Sequence, residues 1–395
     1  FNNQDLTNKE KLFMDQFIPE TKNKLRYSKQ QVRNIENIFN INEDSSNNLF
    51  KYKLSKIPIK VLEAPSLLDD FYLSLISWSK QNNIGVGLDN SVYFFNFLSH
   101  SVQKHFTIKS KDSANTFNSE SEISSYICGI TFDDYGTSLA IGDSHGKMYQ
   151  TDSVTNKLIS SGSPHLSRVG SLHWQENLLI SGSRDKTVKL FDMRQRNFET
   201  VFSFVGHNQE ICGIKISPDG NFIASGGNDN QLLLWDLRKM KLISSLGKHE
   251  AAVKALAWNP TKKNILLSGA GTADRKIRVF DVNTTSQISE IDSGSQVCNL
   301  AFDKDGEYIV STHGYSLNQL ILWQPSNDYS ELYKDDQFIA HKLRVLYLSQ
   351  SPCGKYLATG AGDETIKIWN IINRKRALLK ENMINDVNST YLQIR

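Results

Sequence analysis

From about residue 70 onward, apolar and polar positions recur in one phrase. Two or three apolar residues lead into a Ser/Gly-rich corner and a polar turn. Apolar and polar residues then alternate, ending on an aromatic residue followed by a polar one. The phrase reads LLISGSRDKTVKLFD, FIASGGNDNQLLLWD, LLSGAGTADRKIRVFD, YIVSTHGYSLNQLILWQ and YLATGAGDETIKIWN, with weaker copies NIGVGLDNSVYFFN and LAIGDSHGKMYQTD. Alternation such as Val188 and Leu190, or Ile366 and Ile368, predicts strands with one buried face. The terminal aromatics Phe95, Phe191, Trp235, Phe280, Trp323 and Trp369, with Thr151 standing in for one of them, step by roughly 40 to 46 residues. One longer step, of about 56, contains the polar segment SKDSANTFNSESE and reads as a loop insertion.

One small sheet cannot bury both of its faces, and stacking sheets radially solves this while leaving only short edges. Seven copies at this period therefore predict an all-β, seven-bladed WD-repeat β-propeller. Cys128, Cys212 and Cys298 fall at one place in three copies (YICGITF, EICGIKI, QVCNLAF) and read as a small apolar core position rather than reactive thiols. SKIPIKVLEAP, Ser55 to Pro65, alternates Ile57, Ile59 and Val61, and is expected to close the ring as an outer strand of the seventh blade. The expected organisation is a largely disordered segment over 1–54, rich in Asn, Lys, Gln and Ser, the propeller over 55–373, and a short tail over 374–395. The opening on Phe1 rather than Met reads as a truncation or a partial gene model.

Composition narrows the function classes. No long apolar run spans a bilayer, so no membrane partner is expected, and a net charge of +3 is too balanced to imply nucleic acid. The four Cys form no C-x-x-C pair, which suggests neither zinc nor a disulfide framework and fits a reducing compartment. GDSHG, Gly142 to Gly146, matches the nucleophile-elbow pattern, but that motif needs a strand-to-helix turn and here falls in a hairpin. GAGTAD and GAGDET lack the sixth-position Gly of a dinucleotide site. His207, His249 and His341 precede blade starts at corresponding positions and read as hydrogen-bonding scaffolds rather than metal ligands. No catalytic residue, metal or cofactor is expected.

The phrases SGAGTADRKIRVFDV, SGSQVCNLAF, STHGYSLNQLILW, HKLRVLYLSQSPCGKYLATGAGDETIKIWN and SGGNDN resemble those of the Fizzy and Fizzy-related coactivators of the anaphase-promoting complex. The resemblance runs from about Ser55 to the C-terminus, and SKIPIKVLEAP is closer to the Fizzy-related branch. It implies a non-enzymatic substrate receptor of a ubiquitin ligase, in nucleus and cytoplasm, that recruits degron-bearing cell-cycle proteins and favours the ligase's active state. Its implied partners are repeat-helix subunits of the ligase, degron-bearing substrates and pseudosubstrate inhibitors.

The same resemblance assigns sites. A Lys-Glu-Asn degron would meet Asn228, Asn230, Thr272, Gln296 and Arg344, with Arg344 suited to the carboxylate. An Arg-x-x-Leu destruction box would meet Glu364 and the position of Ser77, where family members carry an acid, so Arg capture weakens unless Asp69 or Asp70 compensates. A third groove would use Arg168. Docking on the ligase would use Asp15, Phe17, Ile18 and Pro19 of DQFIPE, a C-box in which Gln16 replaces an Arg, together with the terminal Ile394 and Arg395. Arg376 to Asn382 spells Arg-x-x-Leu followed by Lys-Glu-Asn, a self-degron pattern that helix propensity also explains. The rival reading, motivated by Gln16 and Ser77, is a WD-repeat scaffold that has lost ligase docking.

Overall fold

A computed structural model describes residues 52–108, 125–195 and 197–373. Within it, Leu54–Ile372 forms one compact unit. Among the described residues all regular elements are strands, grouped in seven antiparallel sheets. The first is Ile76–Trp78, Asn83–Leu88, Ser91–Asn96 and Val102–Thr107. The fourth is Ile211–Ile216, Phe222–Gly227, Leu232–Asp236 and Lys241–Ser245. The pattern of the sequence explains this order. The apolar run before each corner becomes a second strand buried on both faces, such as Phe222–Gly227, while the outermost strand carries the polar and exposed positions. Apolar residues of successive sheets merge into shared clusters, such as Ile180, Val188 and Leu190 with Ile214, Ile223 and Trp235. Each blade thereby buries the face that its neighbour would otherwise expose.

The seventh sheet is built from both ends of this unit. Lys60–Glu63 pairs antiparallel with Thr365–Asn373, matching Lys60 to Ile368 and Leu62 to Ile366, so the expected closing strand is present. The alternating residues are not the ones it buries. Leu62 is buried, whereas Ile57, Ile59 and Val61 are all half-exposed. The reason is geometric: only four residues pair, and the face packed on the blade is the one that carries Leu62.

The Ser/Gly corner and the aromatic marker share one hydrogen-bond device. In the fourth blade, His207 Nε2 lies 2.8 Å from Ser225 Oγ, which also accepts from Trp235 Nε1 at 2.8 Å. His207 Nδ1 faces the Asp229 carboxylate at 3.1 Å. The seventh blade repeats this with His341, Thr359, Trp369 and Asp363. His249 likewise bonds Ser268 at 2.8 Å. The scaffold reading of the three histidines therefore holds. In the second blade Thr151 occupies the marker position and bonds His105 Nε2 at 2.8 Å, and that imidazole stacks on Phe94. Cys128, Cys212 and Cys298 are free and buried, as a core role requires. Gly142–Gly146 joins strands Ser138–Asp143 and Met148–Asp152, so the Ser144 hydroxyl lies in a β-hairpin.

Candidate peptide-binding site

Between the closing strand and the first blade, Leu68 to Tyr72 forms a strap gripped by four blades. Tyr347 Oη donates to the Leu68 carbonyl at 2.7 Å. Arg344 donates from Nε to Asp69 Oδ1 at 3.1 Å and from Nη2 to the Asp69 carbonyl at 2.9 Å. Arg168 Nη1 reaches Asp70 Oδ2 at 2.7 Å, while its Nε and Nη2 hold Glu210 at 2.6 and 2.9 Å. The Lys254 ammonium lies 5.3 Å from the Phe71 ring and 5.4 Å from Tyr347. Tyr72 Oη donates to Asn228 Oδ1 at 2.7 Å. A side chain at Gly170 would collide with the Tyr72 carbonyl, so only glycine lets the strap lie this close to the third blade.

The strap forms one wall of a cavity of about 420 Å³, completed by Ala251, Ala252, Gly271, Thr272, Gln296 and Arg344. The structure thus brings Thr272, Gln296 and Arg344 together around one space. Asn228 stands behind the wall, bonded to Tyr72, and its Nδ2 donates to Gln209 Oε1 at 2.6 Å. Asn230 is exposed in the hairpin turn at φ 62°, outside the cavity lining. Gln296 is buried, and its Oε1 has no hydrogen-bond partner among the described residues. An acceptor in that state is open to a donor from water or from a ligand. Burial would lower the Arg344 pKa, but the bonds and charge of Asp69 raise it, and the guanidinium stays cationic. Arg168 is raised in the same way by Glu210 and Asp70 against its own burial.

The residues assigned to the destruction box sit differently. Glu364 is exposed at φ 59°, and its Oε1 accepts the Ser66 N–H at 2.9 Å. Ser77 lies on the innermost strand of the first blade, where its hydroxyl accepts the Phe132 N–H at 3.3 Å. Asp69 and Asp70 line the cavity and are already paired to Arg344 and Arg168. Asp15, Gln16, Phe17, Ile18, Pro19, Ile394, Arg395 and the Arg376 to Asn382 segment lie outside the described residues. Sequence reading left Tyr72, Glu210 and Tyr315 without roles. The only local signal for the strap is the run LDDFY, two acids followed by two aromatics just before the first blade.

The seven sheets make a WD-repeat propeller, and the cavity of about 420 Å³ lies against the strap. The family model described as the CDC20/Fizzy WD40 domain matches residues 62–369, and the chain belongs to that family. It is 42% identical over 319 residues to Protein FIZZY-RELATED 3 of Arabidopsis thaliana, covering 81% of this chain and 63% of that protein. It is 37% identical over 335 residues to the APC/C activator protein CDH1 of Saccharomyces cerevisiae, covering 84% of this chain and 55% of that protein. The chain thus matches somewhat under two thirds of the length of these relatives. A chain in the crystal structure of a mitotic checkpoint complex superposes with a TM-score of 0.75 at 33% identity, covering 84% of this chain and 97% of that one.

Proposed function

We propose that this chain is a substrate-recognition coactivator of the anaphase-promoting complex, and that its cavity takes the Lys-Glu-Asn degron of cell-cycle proteins. The observation that carries the reading is the grouping of Thr272, Gln296 and Arg344 around one space in a CDC20/Fizzy propeller. A carboxylate suits the Arg344 guanidinium, and a side-chain amide suits the orphaned Gln296 oxygen. Asn228 acts through Tyr72 and the strap, and Asn230 from the turn beside it. Names of relatives such as APC/C activator protein support the ligase as partner.

The destruction box falls to Glu364 and the surface near Ser77. With Asp70 engaged by Arg168, Glu364 is left as the principal acid there, so affinity for the Arg of that degron is low. Arg168 supplies the third groove. Docking falls to Asp15, Phe17, Ile18 and Pro19 at one end and Ile394 and Arg395 at the other, in nucleus and cytoplasm, with pseudosubstrate inhibitors competing for the degron sites. The propeller performs no catalysis in this scheme.

Two measurements test it. A labelled Lys-Glu-Asn peptide binds wild type and loses at least tenfold affinity to Arg344→Ala, about the 1.4 kcal/mol or more expected of a charge-assisted pair. Equal binding by the Asn228→Ala, Arg344→Ala double variant would refute the site. Ligase subunits co-purify with the full chain and not with one lacking Ile394 and Arg395. Retrieval of no ligase by the full chain would favour the scaffold reading, which Gln16 and Ser77 motivate.

A further inference from the structure

We infer that Asp69 is a positioning residue of the cavity: it fixes one edge of the Arg344 guanidinium and leaves the other edge to receive a ligand's carboxylate. The inference rests on the peptide-binding reading above and adds to it the residue that decides whether glutamate is preferred at the centre of the ligand.

Three observations place Asp69 in this role. It holds Arg344 by both its side chain and its main chain: Oδ1 accepts from Nε, the carbonyl accepts from Nη2, and Oδ2 lies 3.1 Å from Nη2. Among the described residues the Nη1 hydrogens of Arg344 have no protein acceptor, while the guanidinium sits 5.0 Å above the Tyr315 ring. One edge and one face are thus fixed, and the remaining edge is the donor. Asp69 is held in place by its surroundings on the strap. Its Cβ lies within 2.5 Å of where a side chain on Gly362 would start, and both strap neighbours are clamped, Leu68 by Tyr347 and Asp70 by Arg168. Finally, the acceptor-donor pair is side by side. Both Gln296 Oε1 and the Arg344 Cγ and Cδ press on the open side of Gly314. The orphaned oxygen and the stem of Arg344 therefore lie side by side, and both residues line the cavity.

The charge arithmetic explains why the geometry matters. Asp69 neutralises Arg344, so the wall offers no net positive charge to attract an acidic side chain. Preference for a carboxylate then comes from a pre-aimed N–H edge rather than from long-range attraction. An asparagine at position 69 would free the charge and lose the aim. A competitor role would predict the opposite outcome, since freeing Arg344 would then tighten binding.

Fluorescence anisotropy on the full chain separates the cases, with labelled Lys-Glu-Asn and Lys-Gln-Asn peptides. Asp69→Asn is expected to weaken the Glu peptide by about tenfold and the Gln peptide by less than about twofold, so that the preference for Glu disappears. Asp69→Glu restores part of that preference. Tyr315→Leu leaves the strap untouched at an exposed ring and is expected to cut the preference about threefold, which keeps the test available if Asp69→Asn does not fold. An equal loss for both peptides would make Asp69 merely structural, and unchanged or tighter binding of the Glu peptide would make it a competitor. Either result overturns the inference alone, because wild type would still have bound. Failure of wild type to bind the Glu peptide overturns the inference together with the degron reading.

Discussion

Ser225→Ala in the fourth blade is a deletion of one oxygen on which two buried groups depend. Ser225 Oγ accepts from Trp235 Nε1 and pairs with His207 Nε2, both at 2.8 Å, and all three side chains are buried. Removing the hydroxyl leaves an indole N–H and an imidazole nitrogen without partners in an interior that excludes water. Each stranded group costs about 1–3 kcal/mol, so the variant should lose about 3 kcal/mol. The third blade supplies an internal control. There Ser181 bonds His165 at 2.6 Å, but the marker residue is Phe191, which has no N–H to strand. Ser181→Ala should therefore lose about half as much, about 1.5 kcal/mol. Urea unfolding followed by tryptophan fluorescence measures both, with midpoints converted through a common slope. Equal losses in the two blades would refute the claim that the Ser–Trp bond, rather than the Ser–His bond alone, stiffens the corner.

Two further outcomes concern titration. Burial pushes the Lys254 ammonium down to about 8, while an unfolded lysine titrates near 10.4. The unfolded chain then binds more protons between about pH 8 and 10.4, so stability rises with pH across that window. Lys254→Met should remove that rise, whatever it loses with the Leu346 carbonyl bond and the Phe71 and Tyr347 ring contacts. A Met variant that kept the rise would contradict the argument. Burial also pushes His249 to about 4, reinforced by Arg278, and His313 to about 3. Below the unfolded value near 6.5 the unfolded chain takes up protons first, so stability should fall from pH 6.5 toward 4 by about 1.4 kcal/mol per unit for each histidine. A denaturation midpoint flat from pH 7 to 5 would show that these imidazoles are not held neutral by the fold.

The blades were legible because their causes are local. Alternation, the Ser/Gly corner and the terminal aromatic each sit within some fifteen residues, and the histidines repeat at a fixed offset from them. The cavity residues Thr272, Gln296 and Arg344 were legible through family phrases rather than through pattern. What stayed hidden was the strap. Asp70 meets Arg168 across 98 positions, Tyr72 meets Asn228 across 156, and Asp69 meets Arg344 across 275, separations at which no periodicity operates. The exposure of Ile57, Ile59 and Val61 was hidden for a different reason. An alternation of period two marks two faces but does not say which one a four-residue strand turns inward.

The closing strand also sets a clock on synthesis. Ser66 donates to Glu364 across 298 positions, and Lys60–Glu63 has no sheet to join before Thr365–Asn373 has left the ribosome. Six blades can assemble on the nascent chain while the ring remains open, with its first blade presenting an unprotected flank. A message interrupted anywhere inside the seventh blade yields a product with six blades that never seals. Such a product keeps sticky edges for chaperones or proteases to detect. Ring closure is therefore a reading of the propeller's integrity, made once, after its last blade has been translated.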